Sequence, residues 1–248
     1  MKLKLCACLL PLLLTACGGD SNSSGGGGNE TDQGTDLSIK TYNFVYQGGA
    51  VSDVVVNGLY EQLASGEVTR VLNDNAVYGG ATTTTLVQAL KNSSGEFAVT
   101  FELRDANSND LLERELETID DDDTSQLLFA VGDTSLSSSD FELEAFDTPT
   151  DVATSTSVPV YLINLLGQEA VNVFVDQTLF QSGLEPIDLS NKLDVQLASP
   201  ISDISLELAN STSVATCNVS NTDWDDKQWL IVFAKSPSGN PTCYLTEY

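Results

Sequence analysis

Phe97-Ala98-Val99-Thr100-Phe101-Glu102-Leu103 alternates large apolar residues with small or polar ones at every step. A period of two puts Phe97, Val99, Phe101 and Leu103 on one face, the pattern of a half-buried β-strand. Ile204-Ser205-Leu206-Glu207-Leu208 follows the same rule. Outward from Phe97, Val54-Val55-Val56 and Leu59-Tyr60 flank Asn57-Gly58, a pair suited to a two-residue type I′ turn, so this spacing predicts a hairpin tip there. Thr82-Thr83-Thr84-Thr85-Leu86-Val87 is β-branched and reads as strand. Clusters of Gly, Asn, Asp and Ser separate the short runs from Leu37 onward, and no long stretch has a helical period. A short helix around Leu184 to Leu189 is left open.

The chain also resembles itself. Lys40-Thr41-Tyr42-Asn43-Phe44 through Asp53 to Tyr60 aligns with Pro159-Val160-Tyr161-Leu162-Ile163 through Asn172 to Phe180. Gln126 to Val131 followed by Phe141 to Phe146 aligns with Gln228 to Ala234 followed by Cys243 to Tyr248. Two units of ordinary domain size follow, residues 37–149 and 158–248, with 150–157 as the linker. Many short strands with frequent turn signals predict an all-β chain of two tandem antiparallel immunoglobulin-like β-sandwich domains.

The run Asp53-Val54-Val55-Val56-Asn57-Gly58, after an aromatic-x-apolar strand and a short loop, resembles the bacterial family called domain of unknown function 4397. That family consists of exported, often tandem, immunoglobulin-like domains, and its hallmark strand reads Val-Asp-Val-Tyr-Val-Asp-Gly. The second copy departs from the hallmark, with Asn172 for the Asp and Gln177 for the Gly. The resemblance implies fold and export and carries no chemistry.

At the N-terminus, Met1-Lys2-Leu3-Lys4 precedes an apolar run from Leu5 to Leu14 and then Thr15-Ala16-Cys17. A positive start, about ten apolar residues and small residues before a cut site describe a secretory signal over residues 1–16, too short to span a bilayer. Leu14-Thr15-Ala16-Cys17 resembles the bacterial lipobox, which implies that Cys17 is acylated and becomes the mature N-terminus. Residues 17–36 then form a lipidated Cys and a Gly/Ser-rich tether, including four glycines from Gly25 to Gly28. A coil of this length reaches roughly 25 Å. In the lipoprotein families this resembles, Asp after the modified Cys retains the protein in the inner membrane. Gly18 stands there, which implies the bacterial outer membrane.

The formal charge is −26, and removing Lys2 and Lys4 with the signal takes it to −28. Phosphate backbones need clustered cations, so nucleic acid is excluded as a partner. The partners expected are a membrane, through the lipid, and an unidentified envelope protein or glycan. Once Cys6 and Cys8 leave with the signal and Cys17 is acylated, Cys217 and Cys243 remain. In an oxidising compartment two leftover thiols most simply form a disulfide.

No histidine occurs, which removes Ser-His-Asp and Cys-His catalysis and His-ligated zinc from consideration. Gly48-Gly49 and Gly79-Gly80 sit between strands and do not open a helix as a phosphate loop would. No catalytic residue, metal or cofactor is assigned. Asp120-Asp121-Asp122-Asp123 has the oxygen density calcium requires but lacks the turning Gly of a calcium loop, so it reads as a solvated loop. Trp224, in Asn221-Thr222-Asp223-Trp224-Asp225-Asp226, either contacts a partner or covers a sandwich end. The expected function is a non-catalytic binding or structural module of the cell envelope, with a glycan-binding module for polysaccharide attachment or uptake as the alternative.

Overall fold

The computed structural model describes residues 35–47, 50–62, 66–79, 84–133, 141–167, 169–225 and 227–248. The export signal, Cys17 and the tether up to residue 34 lie outside the described residues. Among the described residues all regular structure is β. The chain first lays down β1 (Thr35–Gln47), β2 (Ala50–Val51), β3 (Val54–Gln62), β4 (Gly66–Ala76) and β5 (Thr85–Ala89). It continues through β6 (Phe97–Asp105), β7 (Leu111–Ile119), β8 (Ser125–Asp133) and β9 (Phe141–Asp147). The second half contributes β10 (Ser157–Asn164), β11 (Val171–Val175), β12 (Thr178–Leu184) and β13 (Leu193–Gln196). It closes with β14 (Asp203–Glu207), β15 (Ser213–Asn218), β16 (Trp229–Lys235) and β17 (Pro241–Glu247).

These strands form four sheets. Sheet I runs β1-β8-β9, with β2 and β5 both pairing along the outer side of β1, and sheet II runs β4-β3-β6-β7. Sheet III runs β13-β10-β16-β17 and sheet IV runs β12-β11-β14-β15. The two halves share one plan. In each, the first strand pairs in parallel with the penultimate one, β1 with β8 and β10 with β16, while the other ladders are antiparallel. The four segment pairs that align in sequence fall on strands with equivalent places in the two plans: β1 with β10, β3 with β11, β8 with β16 and β9 with β17.

Burial follows this layering. Leu37, Ile39, Val56, Phe97, Val99, Phe101, Leu128 and Leu143 form a core between sheets I and II. Val158, Val160, Leu162, Val173, Ile204, Leu206, Ile231 and Phe233 form a second core between sheets III and IV. A third cluster joins the opposite faces of sheets I and III: Tyr42, Phe44, Leu127 and Phe129 against Tyr161, Ile163, Leu230 and Val232. Within it Tyr42 and Phe129 stack at 4.7 Å, and Phe44 meets Tyr244 edge-on at 5.5 Å. Tyr78 Oη donates to the Lys235 carbonyl at 2.7 Å across the same seam. The layers therefore run II, I, III, IV, and Asp32–Tyr248 forms one compact unit. Sheets I and III are covered on both faces, which is why Leu127-Leu128-Phe129-Ala130 and Leu230 to Ala234 are buried without interruption. Sheets II and IV have one free face, and β6 and β14 alternate accordingly.

Asn57-Gly58 is not a hairpin tip. β3 runs through it to Gln62, with Asn57 paired to Val71 on one side and Glu102 on the other. Gly58 serves a packing need instead: a Cβ there would sit 3.3 Å from Leu72 Cδ1. The segment after Leu184 is not helical either. Leu184 ends β12, Ile187 has φ of 54°, and Leu189 bridges to Ile163. The strand read from Thr82 onward begins at Thr85, and Thr82 and Thr83 are outside the described residues. Thr35 and Asp36, read as the end of the tether, already belong to β1.

Candidate functional site

Cys217 lies on β15 opposite Ile204, and both point into the second core. Cys243 lies on β17 opposite Phe233. The two sulfurs are bonded, with Cα atoms 5.6 Å apart, so the disulfide ties sheet IV to sheet III. Closing a loop of this separation stabilises the fold by about 3.5 kcal/mol in the chain-entropy account.

Trp224 belongs to this core. The backbone turns sharply ahead of it, where Thr222 N–H donates to the Val219 carbonyl and Trp224 N–H to the Thr222 carbonyl. That turn swings the indole inward, leaving it 7% exposed and edge-on to Trp229 at 5.8 Å. Asn221 and Asp223 beside it remain exposed. Trp224 therefore packs into one end of the second pair of sheets. The signal in the sequence was Val219, five residues earlier, whose burial anchors the turn.

The acidic run follows β7 as a loop. The carboxylates of Asp120, Asp122 and Asp123 lie within 4.8 Å of one another. Asp121 turns away to Lys91 at 2.7 Å, and that hydrogen bond and charge hold its carboxyl below the ordinary range. Asp147, with lesser contributions from desolvation, Asp122 and Asp120, pushes the Asp123 carboxyl up. Like-charge crowding of this kind marks a loop that a hard cation would relieve, but nothing else at the site points to a ligand.

A third place was not evident from sequence. Glu102 on β6 faces away from the core between sheets I and II, yet it is only 7% exposed. Arg104 lies 2.9 Å from it and Arg114 3.7 Å, so two guanidiniums share one carboxylate. Around them the same outer face of sheet II carries Val71, Leu111 and Leu116, each about half exposed or more. The alternation in β6 marked Glu102 only as an outward residue. What covers it comes from Arg114 on the neighbouring strand, directly opposite in register, a pairing that composition does not reveal. Compared with protein-family models and with curated proteins, the chain matches none.

Proposed function

We propose that the chain is a lipoprotein of the bacterial outer membrane, acylated at Cys17 after removal of residues 1–16 and tethered through a Gly/Ser-rich linker. In this reading residues 37–149 and 158–248 are tandem immunoglobulin-like sandwiches, joined at 150–157 and akin to the domain of unknown function 4397 family. They act as a non-catalytic binding or structural module of the envelope. The observation that carries the reading is the Cys217–Cys243 disulfide, since such bonds persist in exported proteins and are rare where thiols are kept reduced. Two sheets face each other in each half, and a disulfide bridges them in the second, an arrangement familiar from immunoglobulin domains.

The exposed large apolar side chains among the described residues are Val71, Val77, Leu86, Leu111, Leu116, Val152 and Leu179, all aliphatic. Sugar rings are gripped by stacking on aromatic faces, whereas aliphatic patches suit protein surfaces, so a protein partner is favoured over a glycan. The experiment is metabolic labelling with a fatty acid, followed by membrane fractionation of wild type and Cys17→Ala. Label and outer-membrane recovery are expected in the wild type and lost in the variant. Undiminished label in Cys17→Ala would reject the anchor.

A further inference from the structure

We propose that the outer face of sheet II is a self-association surface, on which a second copy of the chain stacks face to face about a two-fold axis. The register of the sheet sets out its side chains in rows. Val71, Asn57, Glu102 and Arg114 lie across the four strands in one row. The row on one side of it carries Thr69, Leu59, Thr100 and Leu116, and the row on the other carries Val55, Arg104 and Leu111. Beyond Leu59 the face ends at Glu61, directly opposite Glu67.

The two ends of this face are oppositely charged. At one end Glu61 and Glu67 are both exposed and meet as a like-charged cross-strand pair, which is unfavourable within a single chain. At the other end two arginines share the single carboxylate of Glu102. A two-fold axis lying in the plane of the sheet and perpendicular to its strands inverts the order of the rows. The Glu61–Glu67 end of one copy then lies over the Val55–Arg104 end of the other, with Glu61 above Val55 and one strand from Arg104, and the mixed rows carrying Leu116 and Val71 meet between them. An isologous contact needs this kind of self-complementary patch.

The free face of sheet IV confines its apolar side chains, Phe174 and Leu179, to β11 and β12. Its outward residues on β14 and β15 include Asp203, Ser205, Glu207, Thr216 and Asn218, which suit solvent. The molecule already joins two sheets by their outer faces where sheets I and III meet, so stacking of this type is compatible with its architecture. Four strands about nine residues long cover roughly 30 Å by 19 Å. That is about 600 Å² per copy and about 1,200 Å² for the pair, the lower end of the range for specific interfaces. A dimer of micromolar affinity fits that area.

Sedimentation velocity over the micromolar range tests this on the full chain carrying Cys17→Ala, so that no acyl chain drives association. A reversible dimer is expected. Leu116→Asp changes a largely exposed residue, so the fold is retained while the dimer weakens about tenfold or more. Glu61→Lys separates the two charge roles. Within one chain it removes the repulsion with Glu67 and leaves the melting temperature unchanged or higher. In the dimer it sets a lysine over Val55 beside Arg104 of the second copy and weakens association about tenfold. A chain that stays monomeric throughout, or a dimer that either substitution leaves unaffected, overturns the proposal.

Discussion

Phe129→Ala would show whether the two halves unfold as one. Phe129 is fully buried between sheets I and III, where it stacks on Tyr42 at 4.7 Å and meets Phe146 edge-on at 5.8 Å. Truncating a buried Phe costs about 3–5 kcal/mol, and the lost aromatic pairs put this site toward the upper end. For a chain of this size each kcal/mol lowers the melting temperature by about 2–4 °C, so a fall of about 6–20 °C is expected. The side chain faces away from the core between sheets I and II, so the loss falls on the seam between halves. Both tryptophans, Trp224 and Trp229, are in the second half, so their fluorescence reports that half alone while far-UV circular dichroism reports both. If the seam makes the halves one cooperative unit, the two signals shift together. A fluorescence midpoint that stays at its wild-type value while the dichroism curve splits in two would refute the reasoning.

Trp224→Ala should cost about 3–5 kcal/mol in a denaturant titration, because its indole is core; a loss under about 0.5 kcal/mol would contradict its burial. Reducing the disulfide, or the double change Cys217→Ala and Cys243→Ala, should lower stability by about 3.5 kcal/mol, read as the difference between titrations with and without reductant. Burial, followed by the charges of Glu117, Glu142, Glu115 and Asp188, pushes the Glu144 carboxyl up. A carboxyl raised on folding contributes stability that is fully present below its unfolded pKa and is lost as pH rises through its folded pKa. Melting temperatures across a pH series should therefore show Glu144→Gln above wild type at neutral pH and level with it at acid pH; equal values at neutral pH would count against this assignment.

The strand content was legible because alternation is a one-dimensional signal: Phe97 to Leu103 and Ile204 to Leu208 could only bury one face. The layering was written in the same residues in a less obvious form. Strands of the outer sheets alternate, whereas Leu127 to Ala130 and Leu230 to Ala234 are continuously apolar because a second layer covers their other face. Asn57-Gly58 misled because a turn-forming pair was overridden by ladders on both sides, and the glycine answered the bulk of Leu72. The placement of Trp224 was not legible because its neighbours are polar while its ring is not, and only the turn at Thr222 decides which way it points. The pairing of Cys217 with Cys243 followed from reading Cys6 and Cys8 as signal and Cys17 as acylated, which left two thiols. The Glu102–Arg104–Arg114 cluster depended on strand register, which no local pattern in the sequence specifies.

The parallel ladders in the middle of each half bear on how the chain acquires its structure. Ser38 pairs with Ser125 and Val160 with Trp229, so the first strand of each half waits for its central partner until nearly the whole half has been supplied. Loop-closure entropy must be met before such pairings contribute, and proteins dominated by them fold in milliseconds to seconds, far slower than helical bundles. Through that interval β1 has only β2 and β5 beside it and β10 only β13, so much of their apolar surface stays uncovered. A chain built this way leaves its central strands open to non-native pairing until the last strands of each half arrive.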